Sequence, residues 1–269
     1  MKAMIFAAGL GTRLRPLTDT IPKALLPVAG RPLIARVICK LVSAGYDDIV
    51  VNVHHFADMI EDYIRSEDDF GIRIRFSDER EMLLDTGGGI LKARALLEGD
   101  GQFLVHNVDI LSDADLGAFR ESVPDNAVAS LLVGRRCTSR YLLFDSGMRM
   151  TGWTNVSSGL VRSPYLPDGS AREGSAGALS CGCPGKSERY AFSGIHILKD
   201  SIFPLLEDYS EKRKRAGISC PERFSVTDFY IDNCRTSVIS GYSPASLEVI
   251  DVGKTASLSL AEDFIRRHQ

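Results

Sequence analysis

Gly9, Gly11, Arg13 and Lys23 stand close together near the start of the chain and have the types and spacing to hold a run of phosphates. Glycines let the backbone come close to an anion, and consecutive N–H groups in such a turn form a concavity suited to phosphate oxygens. Arg13 and Lys23 add positive charge. The run Ala3 to Phe6 just before them is short and apolar, as a buried parallel strand would be. The loop is therefore expected at the carboxyl end of a first strand, where open α/β sheets bind ligands. The glycines alone equally suit a plain turn with solvated basic residues. Spacing argues against two other phosphate loops. Both the dinucleotide fingerprint and the Gly-Lys-Ser/Thr loop need a small residue at position 14, and this chain has Leu14, followed by Arg15 and Pro16.

Three later stretches carry possible chemistry. Phe103 to Val105 reads as a central strand running into His106-Asn107-Val108-Asp109. A carboxylate at a strand's carboxyl edge, opposite a phosphate loop, is well placed to hold Mg²⁺ with substrate oxygens completing the shell, and Asp109 has that place. Leu84-Asp85-Thr86-Gly87-Gly88-Gly89-Ile90 leads into a helix. Three glycines at a helix start let a flat base or ribose lie against the backbone, and the helix N-terminus offers unpaired N–H donors. Asp251-Val252-Gly253 follows a short apolar strand, Leu247 to Ile250, and on its own Asp251 reads as a turn residue. His54-His55 also ends a strand, but without carboxylate partners the pair reads as structural.

The elements that must position these residues follow from periodicity. Pro32 can open a helix in which Leu33, Ile34, Val37, Ile38, Leu41 and Val42 form one apolar face, and Gly45 stops it. Asp48 to Val53 is a second parallel strand, and a short amphipathic helix spans about 57–65. Ile72 to Phe76 alternates as a more exposed strand. Asp113 to Ser122 is expected as a helix, Ala127 to Val133 as a buried strand, and Tyr141 to Trp153 as a hairpin. Residues 157–188 are rich in glycine, serine, proline and cysteine and read as a lid-like insertion. Arg189 to Leu198 returns as a strand, Ser201 to Tyr209 and Val226 to Cys234 as helices, and a C-terminal helix at about 257–268 has a possible capping box in Ser259 and Glu262. The fold expected is α/β, Rossmann-like, with a mixed and mainly parallel central sheet flanked by helices, in one domain over 1–269.

Bulk properties set limits. A chain of 269 residues with 44% hydrophobic and 25% charged residues has a globular composition. Its formal charge of −3 speaks against a nucleic acid polymer as partner, and the basic run Lys212 to Arg215 reads as a solvated helix end. The apolar start is too short for a signal peptide, and no stretch is long enough to span a membrane, so no membrane partner is expected and the protein is expected in the cytoplasm. Six cysteines lie scattered, only Cys181 and Cys183 closely spaced, and read as reduced thiols. No apolar surface stripe requires an oligomer.

The opening run, Gly9-Leu10-Gly11-Thr12-Arg13-Leu14 through Pro16-Leu17-Thr18 to Pro22-Lys23-Ala24-Leu25-Leu26-Pro27-Val28, resembles the signature of sugar-1-phosphate nucleotidylyltransferases. The resemblance implies an enzyme that joins an NTP and a sugar 1-phosphate into an NDP-sugar, with Mg²⁺ as cofactor. It implies that Ala8, Gly9, Leu10, Gly11 and Thr12 cradle the triphosphate, that Arg13 and Lys23 hold its charge, and that Asp85, Thr86, Gly87 and Gly88 form the nucleobase loop. Asn107, Ser193 and Gly194 fall at sugar-side positions. Asp109 and Asp251 become the Mg²⁺ ligands. The triple glycine is similar to the branch that uridylylates N-acetylmuramate 1-phosphate, which favours UTP. It is also near a form found in heptose-1-phosphate guanylyltransferases, so a guanylyltransferase acting on heptose or mannose 1-phosphate is the alternative. Two departures are present. The family usually has glycine where Val108 stands, and its Glu-Lys-Pro element is missing, with Lys186 as the stand-in. They leave room for an inactive nucleotide-sugar-binding module. A nucleotidyltransferase for a phospho-alcohol such as phosphocholine is less well matched.

Overall fold

The computed structural model describes residues 1–166, 172–173 and 187–268. The chain opens with β1 (Lys2–Phe6), in which Ala3 and Ile5 face one hydrophobic cluster and Met4 the other. A strand buried on both faces has no use for polar alternation, which explains the unbroken apolar run. Two short paired segments, β2 (Pro27–Val28) and β3 (Arg31–Pro32), lead into α1 (Leu33–Ser43), and Gly45 ends that helix with φ +86°. Then follow β4 (Asp48–Val53), α2 (Ala57–Ser66), β5 (Arg73–Asp78), α3 (Asp85–Lys92), α4 (Arg94–Leu97) and β6 (Gln102–Asn107). The strands β5, β4, β1 and β6 lie side by side in that order and are all parallel.

The second half closes the sheet differently. It contains β7 (Ile110–Ser112), α5 (Leu116–Glu121), β8 (Ala129–Gly134), β9 (Arg140–Phe144), β10 (Met150–Asn155), β11 (Leu160–Arg162), β12 (Arg172–Glu173) and the long β13 (Glu188–Lys199). The chain ends with α6 (Ile202–Arg215), α7 (Val226–Asn233), β14 (Ile239–Tyr242), β15 (Val249–Asp251) and α8 (Ala256–His268). Strand β13 runs antiparallel to β6 and is long enough to pair with β8 over one part and with β9 over another. It thereby joins the parallel sheet to the antiparallel ladder β9 to β12, while β14 adds to β8 in parallel. The central sheet is thus mixed and mainly parallel, as the sequence leads one to expect. Helices α1, α2, α5 and α8 pack their apolar residues on one face, and α3, α4, α6 and α7 on the other.

Three expectations need correction. The helix expected over 113–122 begins only at Leu116, because Asp113 Oδ1 accepts the Glu248 N–H and Asp115 Oδ1 caps the helix by accepting from Ala118 N. The region 157–188 is not without structure where it is described: Leu160 to Asn155 and Arg162 to Trp153 pair as β11 on β10, and β12 extends the ladder. Cys181, Cys183 and Lys186 lie outside the described residues. Finally, α8 starts at Ala256, with Ser257 and Leu258 donating to Lys254 and Thr255 carbonyls, so Ser259 and Glu262 sit inside the helix and form no cap.

Candidate active site

The parallel register builds the floor of the site. Phe6, the last residue of β1, lies opposite Asn52 of β4 on one side and Asn107 of β6 on the other. These three residues form one row at the carboxyl ends of the central strands. The chain then leaves β1 as a loop, and Asn52 catches its start: Oδ1 accepts the N–H groups of Ala7 (2.7 Å) and Ala8 (3.2 Å). Beyond, Gly9 has open space where a Cβ would be, with nothing within 4 Å. Gly11 is different. Its φ of +62° is a left-handed conformation, and a Cβ there would press on Thr18 and Lys23 at 3.0 and 3.2 Å. Thr18 Oγ1 donates to the Gly11 carbonyl (2.8 Å) and holds the turn shut.

Above this row lies a cleft of about 400 Å³. Ala8, Gly9, Leu10, Gly11 and Thr12 line one side together with Arg13 and Lys23. Asp85 and Thr86 line another, and Asn107 and Asp109 the base. Eleven of the residues expected at the site thus share one cavity. Val108 also lines it, but its side chain is 5% exposed and belongs to the hydrophobic core.

The charges converge at the cleft's end. Lys23, only 8% exposed, donates its Nζ to Asp109 Oδ2. Strand β15 brings Asp251 opposite Ile110 of β7, and Val252 donates its N–H to the Asp109 carbonyl at 2.9 Å. A Cβ on Gly253 would stand 2.6 Å from Asp251 Oδ1 and 3.0 Å from an Arg13 guanidinium nitrogen, so both side chains border the same space beside this glycine. The protein packed around Asp251 and then the Asp109 carboxylate push its carboxyl above the usual range, while Lys23 and Arg13 oppose them. Two carboxylates that feel each other's charge, supplied by oxygen ligands alone, suit a hard divalent cation whose remaining ligands come from water or phosphate. Among the described residues no group of three or more His, Cys, Asp or Glu side chains offers a site that the protein could fill by itself.

Not every expected residue reaches the cleft. Gly87 and Gly88 fall inside α3 and are covered by the chain: Cβ atoms there would lie 2.3 Å from the Phe224 ring and 2.0 Å from the Glu222 carbonyl. Both glycine N–H groups point to the Phe224 carbonyl, at 2.8 and 3.3 Å. What faces the cleft at this helix start is Asp85, a non-glycine residue at φ +62°, and Thr86, whose hydroxyl accepts the Val226 N–H at 2.9 Å. Ser193 is 2% exposed, and its hydroxyl donates to the Leu132 carbonyl and accepts from Ile195 N. Gly194 lies in an irregular stretch of β13 at φ +81°, where a Cβ would meet Asn107 Nδ2 at 2.7 Å.

A second cavity of about 390 Å³ opens beside β9 and the start of α7. Arg136 and Arg140 give it positive charge, Arg162 lines it paired with Asp228, and Tyr141 and Trp153 give it flat apolar faces. Arg136 also acts on Asp251, and its guanidinium donates to the Phe192 carbonyl at 3.0 Å. Arg162 is held by Asp228 (2.5 Å) and Asp232 (3.3 Å) of α7. Sequence reasoning missed these arginines, since nothing in their local pattern separates them from other surface cations. It also missed Asn52 and Gly253 as lining residues. Asn52 did leave a signal: it is a polar residue among β-branched ones near the end of a buried strand.

A sequence profile described as "Nucleotidyl transferase" matches residues 2–140. N-acetylmuramate alpha-1-phosphate uridylyltransferase of Caulobacter vibrioides is 49% identical over 123 residues, which cover 45% of this chain and 50% of that protein. Its counterpart in Neisseria meningitidis serogroup B is 47% identical over 134 residues, covering 49% of this chain and 58% of that protein. The matched stretch therefore spans only about half the length of these curated relatives. Among solved structures, HddC from Yersinia pseudotuberculosis complexed with GMP-PN superposes with a TM-score of 0.72 at 22% identity, covering 98% of this chain and 99% of that one. At that identity the likeness establishes the fold.

Proposed function

Because this chain belongs to the nucleotidyl transferase family, we propose that it transfers a nucleotidyl group from an NTP, UTP favoured, to a sugar 1-phosphate, giving an NDP-sugar and pyrophosphate. The observation that carries this reading is the convergence of the Gly9–Arg13 loop, the Lys23–Asp109 ion pair and the Arg13 and Asp251 side chains beside Gly253 at one cleft. The similarity to uridylyltransferases over the matched half supports UTP.

In the reaction an oxygen of the sugar phosphate attacks the α-phosphorus in line, and the bond from that phosphorus to the bridging oxygen of pyrophosphate breaks. Both reactants are anions, so the protein's task is alignment and charge neutralisation, and no protein nucleophile is needed. The loop's N–H groups and Arg13 bind the triphosphate. Lys23 neutralises charge that develops on it as pyrophosphate leaves. Mg²⁺ would be held by Asp109 and Asp251 and would add positive charge and orientation for the phosphate oxygens. Asp85 and Thr86 face the base or ribose. The second cavity receives the sugar phosphate: Arg136 and Arg140 suit the phosphate, and Tyr141 and Trp153 suit the faces of a pyranose ring. With nucleoside triphosphates as its substrate, the protein would work in the cytoplasm.

Pyrophosphate release with Mg²⁺ across four NTPs and a panel of sugar 1-phosphates tests this directly. The panel includes N-acetylmuramate, N-acetylglucosamine, glucose, mannose and heptose. Release that depends on one pair is expected, with UTP as the triphosphate; GTP with heptose or mannose 1-phosphate would move the assignment to a guanylyltransferase. NTP binding without release on any pair would favour a nucleotide-binding module.

A further inference from the structure

The two walls of the cleft, the loop after β1 and the N-terminus of α3, are joined by a buried chain of four hydrogen bonds that the chemistry above does not use. Ala7 and Ala8 donate their N–H groups to Asn52 Oδ1, as described. Asn52 Nδ2 donates to Glu79 Oε1 at 2.9 Å. At the far end Glu79 Oε2 accepts the N–H of Leu84, the residue just before α3, at 3.0 Å. Asn52 is 2% exposed and Glu79 0%. Among the described residues Glu79 is in none of the ion pairs, which makes a fully buried carboxylate an expensive choice wherever only volume is needed.

The surroundings hold Glu79 firmly. Its N–H donates to the Val53 carbonyl at 2.8 Å, and its own carbonyl accepts from Met82 N (3.0 Å) and bonds His54 Nδ1 (2.7 Å). Gly89 passes so close that a Cβ would lie 2.8 Å from Oε1. The chain also has a direction. Both of its ends are backbone donors, so one amide and one carboxylate must stand between them, the amide giving its single useful proton to the carboxylate.

From this polarity we infer that Asn52 and Glu79 are positioning residues that set the distance and angle between the phosphate loop and the start of α3, and so tune the cleft for its nucleotide. The inference rests on the proposed reading of the cleft as an NTP site. Neither side chain has to touch the reacting atoms. Their effect is exerted through the N–H groups of Ala7 and Ala8 on one wall and through Leu84, next to Asp85 and Thr86, on the other.

Reversing the polarity tests it. Glu79→Gln places an amide between two donors, so one bond must be lost or Asn52 must flip and release the loop. Asn52→Asp sets two carboxylates face to face. The double variant Asn52→Asp/Glu79→Gln restores every bond: the new carboxylate accepts from the loop and from the new amide, whose oxygen accepts from Leu84. Dissociation constants for UTP by calorimetry, the KM of the sugar 1-phosphate and the melting temperature are measured on all four proteins. Each single variant is expected to bind UTP about tenfold more weakly, the scale of one buried donor left unpaired, with the sugar phosphate KM unchanged. The double variant is expected to return to within about threefold of wild type. Unchanged UTP affinity in the singles overturns the inference, whether or not they melt earlier, because a structural role would lower only the melting temperature. So does a double variant that folds yet stays as weak as the singles. If a single variant does not fold, the fully bonded double variant decides by the same threshold, and its failure to fold or to bind UTP overturns the inference. Wild-type protein that binds neither UTP nor another NTP would instead break the reading of the cleft.

Discussion

Two glycine-rich stretches face each other across the cleft, and they are glycine-rich for opposite reasons. At Gly9 the space a side chain would fill is empty, and the residues around it are charged: Arg13, Lys23 and Asp109. At Gly87 and Gly88 that space is already taken by Phe224 and by the Glu222 carbonyl. The first stretch leaves room for a ligand. The second lets one segment of the protein lie against a helix, and it delivers Asp85 and Thr86 to the cleft from behind. A run of glycines therefore says that something comes close to the backbone, and only the packing shows whether it is a ligand or the chain itself.

The largest effect that would sharpen this contrast belongs to the charged partners of the first stretch. Lys23→Ala and Asp109→Ala are each expected to lower kcat by about 10² to 10³, the usual loss for one preorganised electrostatic group, with circular dichroism unchanged. An Asp109→Ala enzyme within threefold of wild type would remove the charge argument for that wall. Next come the glycines themselves. Gly88→Ala is expected to cost about 1–3 kcal/mol, since its new methyl meets backbone that cannot step aside, and about 2–4 °C of melting temperature for each kcal/mol. Gly9→Ala should melt like wild type and weaken NTP binding. Equal melting of the two variants would abolish the difference between the stretches. The smallest effect concerns Asp251. Its carboxyl titrates above the usual range in the folded protein, so the folded state holds the proton more tightly than the unfolded one. Its contribution favours folding at low pH and is lost as pH rises through the folded value, so the ionised side chain lowers stability at neutral pH. Asp251→Asn, melted without added metal, should be slightly more stable than wild type at pH 7, and the two should converge below about pH 4. A less stable variant at pH 7 would show that the first stretch does not hold its carboxylates against repulsion.

Much of the site's scaffold can be read from local patterns. The apolar run of β1, the apolar face of α1 with Gly45 behind it, and the β-branched run of β4 announce a parallel sheet with its loops at one edge. Asp109 follows from that edge. The helix start at 113 and the supposed cap at Ser259 misled because a capping residue bonds whichever N–H the tertiary structure leaves free. Asp113 instead serves Glu248, far along the chain, and α8 begins earlier than its most cap-like residues.

Elements whose period is local, and the loop whose residues are neighbours in the chain, are written in the order of amino acids: β1, the Gly9–Lys23 stretch, and the strand that presents Asp109. Hydrophobic period and backbone freedom act over a few residues, so they are written there. Long-range packing alone makes Phe224 cover Gly87, puts Asp251 and Arg13 beside the same glycine, gathers Arg136 and Arg162 at one cavity, and lets Asn52 and Glu79 tie one wall of the cleft to the other. Those pairs are distant in sequence. Their approach depends on how the sheet orders its strands and on which faces its helices bury, and no local pattern encodes that.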